Sequence, residues 1–200
     1  MRMRWLRFFF FPNFPFFVLF FLMRCDVEAE QFVFPWVAKQ TGAEAHYHRG
    51  CICLQGGRSD SYDCAIENFS HAIEINPRYA EAYNLRGYAY FTGKGLYERA
   101  IEDLNRAIEI NPRFAAAYLN RGTVYINKGS HDYDRAIEDF SHAIEINPRY
   151  AEAYHIRAMA YYLKKEYDKA WEDVYKAQDL GLKVRYRLLK DLRQASGRDK

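Results

Sequence analysis

Residues 135–150 read RAIEDFSHAIEINPRY, and two other stretches nearly copy them: CAIENFSHAIEINPRY at 64–79 and RAIEDLNRAIEINPRF at 99–114. A fourth, KAWEDVYKAQDLGLKV at 169–184, keeps the register but loses the closing proline. In the 135–150 copy, Ala136, Ile137, Phe140, Ala143 and Ile144 fall at helical spacing, with Glu138, Asp139 and His142 between them. That is the stripe of an amphipathic helix. The Asn-Pro closing three of the copies is expected to stop it, because Asn tolerates a left-handed cap and proline cannot continue the ladder. The same proline also suits the first turn of a following helix.

Each copy is preceded by a second related block: AEAHYHRGCIC from Ala43, AEAYNLRGYAY from Ala80, FAAAYLNRGTVY from Phe114 and AEAYHIRAMAY from Ala151. Gly50, Gly87, Gly122 and Ala158 mark one site in these blocks, at spacings of 37, 35 and 36 residues. From each of them to the next repeated alanine (Ala65, Ala100, Ala136, Ala170) the interval varies: 15, 13, 14, then 12. Packed helices cannot gain a residue without rotating their apolar faces, whereas a surface turn can. The variable stretches GGRSDSYD, TGKGLYE, NKGSHDYD and LKKEYD are therefore turns, and each unit is helix, turn, helix. One unit cannot bury its own apolar face, so stacked neighbours must supply the core.

These residues resemble the tetratricopeptide repeat (TPR) family over Ala43 to Val184. The resemblance rests on the Tyr83, Gly87, Tyr90 pattern, the Ala136, Phe140 pattern and the closing proline, in registered copies. Departures are local: His46 and Cys53 replace aromatics, Ala158 replaces Gly, and Leu182 replaces the last proline. Atypical end copies suit a capped array. The implied fold is all-α, an α-solenoid of four helix-turn-helix repeats at 43–79, 80–114, 115–150 and 151–184, with a C-terminal basic capping helix at 185–200.

In this family the first helix of each repeat lines a concave groove that holds an extended peptide or a partner helix. The resemblance implies a partner-binding set of Tyr47, Glu81, Asn84, Tyr88, Phe91, Leu119, Thr123, Asn127, Glu152, His155, Met159 and Tyr162, with Glu44, Cys51, Leu54, Ala116 and Ile126 beside them. Tyr47, Asn84, Leu119 and His155 are equivalents that differ between copies while packing sites repeat, which is how a fixed scaffold acquires a partner preference. Some relatives grip a C-terminal carboxylate with basic groove residues. Here the equivalents include no lysine or arginine, and Glu44, Glu81 and Glu152 repel a carboxylate. An apolar or basic segment of a protein or peptide partner fits better.

Arg49, Arg86, Arg121 and Arg157 recur before the Gly or Ala site and are expected to pair with the equally repeated Glu67, Glu102, Glu138 and Glu172, not to bind an anion. Aligned histidines dissolve as a ligand set: His71 and His142 share a position with Arg106 and Lys176. No metal or cofactor is expected. Cys51 and Cys53 point to different helix faces and are not expected to bridge each other. No nucleophile–base pair or phosphate-cradling glycine loop is legible, so the expected function is a non-catalytic scaffold or adaptor. With a net charge of only +3, nucleic acid is not the favoured partner.

The ends differ from the body. Of 15 Phe, 11 lie in the first 34 residues. Residues 1–7 carry three arginines, and Phe8 to Met23 runs without a charge, the layout of a signal or signal anchor. Val27-Glu28-Ala29 fits a cleavage site, and Arg24 before Cys25 removes the small residue of a lipoprotein box. Against an anchor, the run is short for a bilayer and is broken by Pro12 and Pro15. Three readings stay open: residues 1–24 as a membrane anchor or cleaved signal, with the body outside the cytoplasm; a cytosolic adaptor starting at Met23; and an unusual buried segment. Residues 25–42 read as a linker. The tail, RYRLLKDLRQASGRDK from Arg185, reads as a cap helix rather than a basic surface for anionic lipid. Self-assembly by end-to-end stacking is a further alternative to a single-copy adaptor, and the oligomeric state is left open.

Overall fold

The computed structural model describes residues 28–56, 59–129 and 132–197, with side chains from residue 42 onward. The Phe-rich segment 1–24, on which the anchor, signal and start-site readings fall, lies outside the described residues. The described residues from Gly42 onward form one compact unit, and residues 28–41 belong to another.

Among the described residues there are nine helices and no strand: α1 (Glu28–Gln55), α2 (Ser59–Ile75), α3 (Ala80–Lys94), α4 (Tyr97–Ile110), α5 (Ala115–Lys128), α6 (Tyr133–Ile146), α7 (Ala151–Leu163), α8 (Tyr167–Asp179) and α9 (Tyr186–Ser196). From Ala43 on they follow the expected repeats, two helices each, with α9 as the cap. The stretch 25–42, read as a linker, is helical from Glu28 onward. Among the described residues no helix is long and apolar enough to cross a membrane.

Stacking supplies the core, as a solenoid requires. Ala100, Leu104 and Ala107 of α4 pack with Ala117 and Val124 of the following repeat, all fully buried. Ala136, Phe140 and Ala143 of α6 do the same with Ala153 and Ala160 of α7. Buried alanines repeat at these contacts because helices approach closely only where side chains are small. Adjacent helices pack in pairs, and the first helices of successive repeats also touch, α3 with α5 and α5 with α7. Lys94 at the end of α3 pairs with Asp63 of α2, Lys128 of α5 with Glu98 of α4, and Lys164 of α7 with Asp134 of α6. These surface pairs fix register more than they add stability.

The helix stops differ from expectation. Asn111 and Asn147 are extended, at φ −133° and ψ 91°, rather than left-handed. Their side-chain Oδ1 atoms accept from the N–H of Arg113 and Arg149 at 3.1 Å, and Asn76 does the same for Arg78. The asparagine thus ends each helix by folding an Asx turn. The proline sits in that turn, and the next helix begins three residues later, at Ala80, Ala115 and Ala151.

The repeated arginines also correct the sequence reading. Arg121 donates through Nε and Nη2 to Asp139 at 2.9 and 2.6 Å, and through Nη1 to Asn105 of the preceding repeat at 2.6 Å. Arg86 holds Asp103 and Ser70 in the same way, and Arg157 holds Asp173 and Ser141. The partner is the aspartate one position after the expected Glu102, Glu138 or Glu172. Those glutamates are exposed, and the aspartates face inward. One guanidinium therefore clamps both helices of its own repeat to the second helix of the repeat before. In the first repeat the aspartate is replaced by Asn68, whose amide donates to the Cys64 carbonyl at 2.9 Å.

Cys53 of α1 and Cys64 of α2 form a disulfide, with Cα atoms 5.9 Å apart, and Cys51 is free. Cys51 and Cys53 do not bridge each other, as their helix positions required. The Cys53–Cys64 link occupies positions where the other repeats place a cation over a tyrosine ring: Arg99 over Tyr90, Arg135 over Tyr125 and Lys169 over Tyr161.

Candidate functional site

The face formed by the first helices α1, α3, α5 and α7 carries the side chains that do not repeat. Of the twelve expected binding residues, Glu81, Tyr88, Asn127 and Glu152 are exposed. Tyr47, Phe91, Thr123, Met159 and Tyr162 are half-buried. Asn84, Leu119 and His155 are buried, at 4%, 5% and 8% exposure. Those three equivalents form the floor of the face and pack between neighbouring helices. Asn84 accepts a hydrogen bond from the Asn120 amide at 2.8 Å, which joins α3 to α5. Replacing Asn84 would therefore disturb packing as well as any partner contact, so Tyr88 is the cleaner probe of the face. Asn127 donates to the Thr123 carbonyl and Thr123 to that of Leu119, so these polar groups are engaged within α5.

The two ends of the face have opposite character. At the first repeat, Tyr47 stacks on Tyr79 with ring centroids 5.0 Å apart. Burial pushes the Tyr79 hydroxyl up to about 12, helped by the negative charges of Glu44 and Glu81. Burial raises Tyr47 too, with Cys51 adding to it. This end is an aromatic pair under two carboxylates. At the last repeat, His155, Met159, Tyr162 and Leu163 of α7 face Arg185, Arg187, Leu188 and Asp191 at the start of the cap, around a cleft of 260 Å³. Burial lowers the His155 imidazole below its ordinary value, and the Arg185 charge lowers it further against the pull of Glu152.

Sequence reasoning found the residues of the first helices but not Tyr79 or Arg185. Tyr79 lies in the inter-repeat turn, and Arg185 begins the tail. The excess of Lys and Arg after residue 182 was the available signal for the latter. Among the described residues no group of His, Cys, Asp and Glu is arranged to hold a metal ion. His71 and His142 stand at the surface beside Glu74 and Glu145, one turn on.

The comparisons agree with this architecture. TPR repeat models match residues 59–93 and 91–129, and tetratricopeptide repeat models match 115–150 and 140–172. A crystal structure of MamA is 30% identical, covering 70% of this chain and 78% of its own, with a TM-score of 0.62. The chain belongs to the tetratricopeptide repeat family. A thermophilic TPR protein of Thermus thermophilus shares the fold at 23% identity and a TM-score of 0.63, covering 78% of this chain and 82% of its own. So does the first TPR of Spaghetti (RPAP3), solved bound to an HSP90 peptide, at 22% identity and 0.56, covering 60% of this chain and 94% of its own. No curated protein sequence matches the chain.

Proposed function

We propose that this chain is a non-catalytic scaffold that holds a segment of a protein partner along the face of its first helices. One observation carries the reading. The side chains left accessible there, Tyr47, Tyr88, Phe91, Met159 and Tyr162, are large, mostly aromatic and different in each repeat, on a framework whose packing repeats. Large amphipathic side chains on a rigid surface supply contact area at low entropic cost. The related domain solved with a bound peptide supports the same use of the fold. Glu44, Glu81 and Glu152 are exposed at equivalent positions of the face, and Glu44 and Glu81, on the side away from the cap, favour basic residues in an otherwise apolar partner.

End-to-end self-assembly fits less well. Leu188 and Leu192 of α9 are buried against Trp171 and Val174, so the last repeat already has its cover. For residues 1–24 the proposal remains an anchor or export signal, tested by the intact mass of protein from membrane and soluble fractions. A full-length mass in the membrane fraction supports the anchor; a soluble chain starting at Met23 removes it.

The binding reading is tested by selecting peptides from a random display library against the full chain and titrating the winners. Tyr88→Ala is expected to weaken them at least tenfold. Tyr175→Ala, at an exposed position on α8, should leave them unchanged. Equal effects of the two variants would remove the assignment of the face.

A further inference from the structure

The cap does more than cover apolar surface. His155 is 8% exposed, and its Nδ1 is buried with no hydrogen-bond partner among the described residues. A buried polar atom without a partner is costly, and native structures rarely leave one without a reason. The atom belongs to a side chain lining the cleft between α7 and α9, whose walls are otherwise mainly Met159, Tyr162, Leu163 and Leu188. At 260 Å³ the cleft is smaller than the pockets that enclose whole cofactors or drug-sized ligands, and it suits one large side chain. Leu163 on its rim is 42% exposed.

Charge at the rim is mainly cationic: Arg185 and Arg187 stand there with one carboxylate, Asp191, among the lining residues. Among the described residues no carboxylate pairs with the Arg185 guanidinium, which is close enough to His155 to disfavour a second positive charge there. The Arg187 side chain is 93% exposed and among the described residues its ion-pair partner is Asp191, at 3.8 Å, too long for a firm hydrogen bond. Glu152 in the first turn of α7 is the one opposing charge felt by His155.

Resting on the proposed use of the first-helix face, we infer that this cleft receives an apolar side chain flanked by acidic residues of the partner segment, the side chain seated on Met159 and Leu188 and the carboxylates on Arg185 and Arg187. The His155 ring forms part of the cleft wall beside that side chain. The other end of the face, with Glu44 and Glu81 around Tyr47 and Tyr79, has the opposite sign, so the occupant is bipolar. Its basic part lies at the first repeat and its acidic part at the cap. A uniformly basic segment, which the first helices alone suggest, would meet repulsion at Arg185.

The test uses the full chain and three acetylated, amidated tripeptides as probes: Glu-Phe-Glu, Lys-Phe-Lys and Glu-Ser-Glu. Nuclear magnetic resonance titration follows the Met159 methyl, the Leu163 methyls and the His155 ring. Glu-Phe-Glu should shift these signals saturably, and the other two should bind at least fivefold more weakly. Arg185→Glu, at an exposed position and checked for an unchanged circular dichroism spectrum, should invert the preference between the charged probes. No saturable shift, or equal response to Glu-Phe-Glu and Lys-Phe-Lys, overturns the inference. If the library peptides still depend on Tyr88 in that case, only the cleft assignment fails. If the tripeptide binds but no library peptide depends on Tyr88, the wider reading fails and the cleft stands.

Discussion

Gly122 lies so close to the ring of Phe140 that a β-carbon on it would stand 2.6 Å from Cε1. Gly50 and Phe69 are related in the same way, also at 2.6 Å, and the smaller Leu104 leaves 3.0 Å at Gly87. The fourth repeat carries Ala158 instead of glycine, and there the facing residue is Val174, both fully buried in one cluster. The two positions trade volume: a methyl is admitted where the opposing ring is lost. Gly122→Ala should therefore lose stability by overpacking, about 1–3 kcal/mol, despite alanine's better helix propensity. Adding Phe140→Val should make the two changes non-additive, with the double variant at least about 1 kcal/mol more stable than the sum of the singles implies. Urea denaturation of the four chains checks it, and strict additivity would refute the exchange.

Arg121 offers a sharper contrast, because its counterpart in the first repeat lacks the aspartate. Asp139 has 3% side-chain exposure and Arg121 21%, so removing the aspartate strands a largely buried guanidinium. Asp139→Ala is expected to cost about 3 kcal/mol or more. Arg49 is exposed and faces a copy in which Asn68 replaces aspartate, so Arg49→Met should change stability by no more than about 0.5 kcal/mol. Similar losses in both variants would mean that the clamp is not what makes the arginine matter.

Cys53 and Cys64 replace a tyrosine and a cation that hold the turn ends of the other repeats together. The link closes a short loop, of sequence separation 11. Closing a loop of that size is worth about 3 kcal/mol by restricting the unfolded chain. Peptide mapping without reductant should recover the linked pair, with Cys51 open to alkylation. Reduction should lower the melting temperature of the wild type but not of a Cys53→Ser, Cys64→Ser double variant. A wild type indifferent to reductant would count against the bond as a stabilising element.

How far the sequence carried the reading depended on whether a feature repeats. Helix pairs, turns and the cap were legible because volume and periodicity recur at fixed spacing, as at Gly122 and Phe140. The arginine clamp was legible only as a repeat. Glu138 and Asp139 recur together, and choosing between adjacent carboxylates needs the helix phase, which puts Asp139 inward and Glu138 in water. Asn147 recurs too, but its extended backbone depends on a side-chain bond to Arg149 that composition does not show. The binding face was the least legible part. Its residues differ between copies by nature, so burial of Asn84, Leu119 and His155 could not be inferred from their equivalents, and Arg185 came from outside the repeat altogether.

His155 gives the last prediction its sign. Burial, then the charge of Arg185, lowers its proton affinity in the folded chain, and Glu152 only partly opposes them. Protons therefore bind the unfolded chain more readily than the folded one once the pH nears the ordinary imidazole value of about 6.5. The contribution of neutral His155 to stability is complete above that value and is lost progressively as the pH falls through the lowered folded value. His155→Gln removes the titration, and the remaining histidines are common to both chains. Between pH 7.5 and pH 5.0 the melting temperature of the wild type should fall further than that of the variant. Parallel curves would show that the imidazole is protonated as easily in the fold as out of it, and below about pH 6.5 the cleft would then hold a second cation beside Arg185.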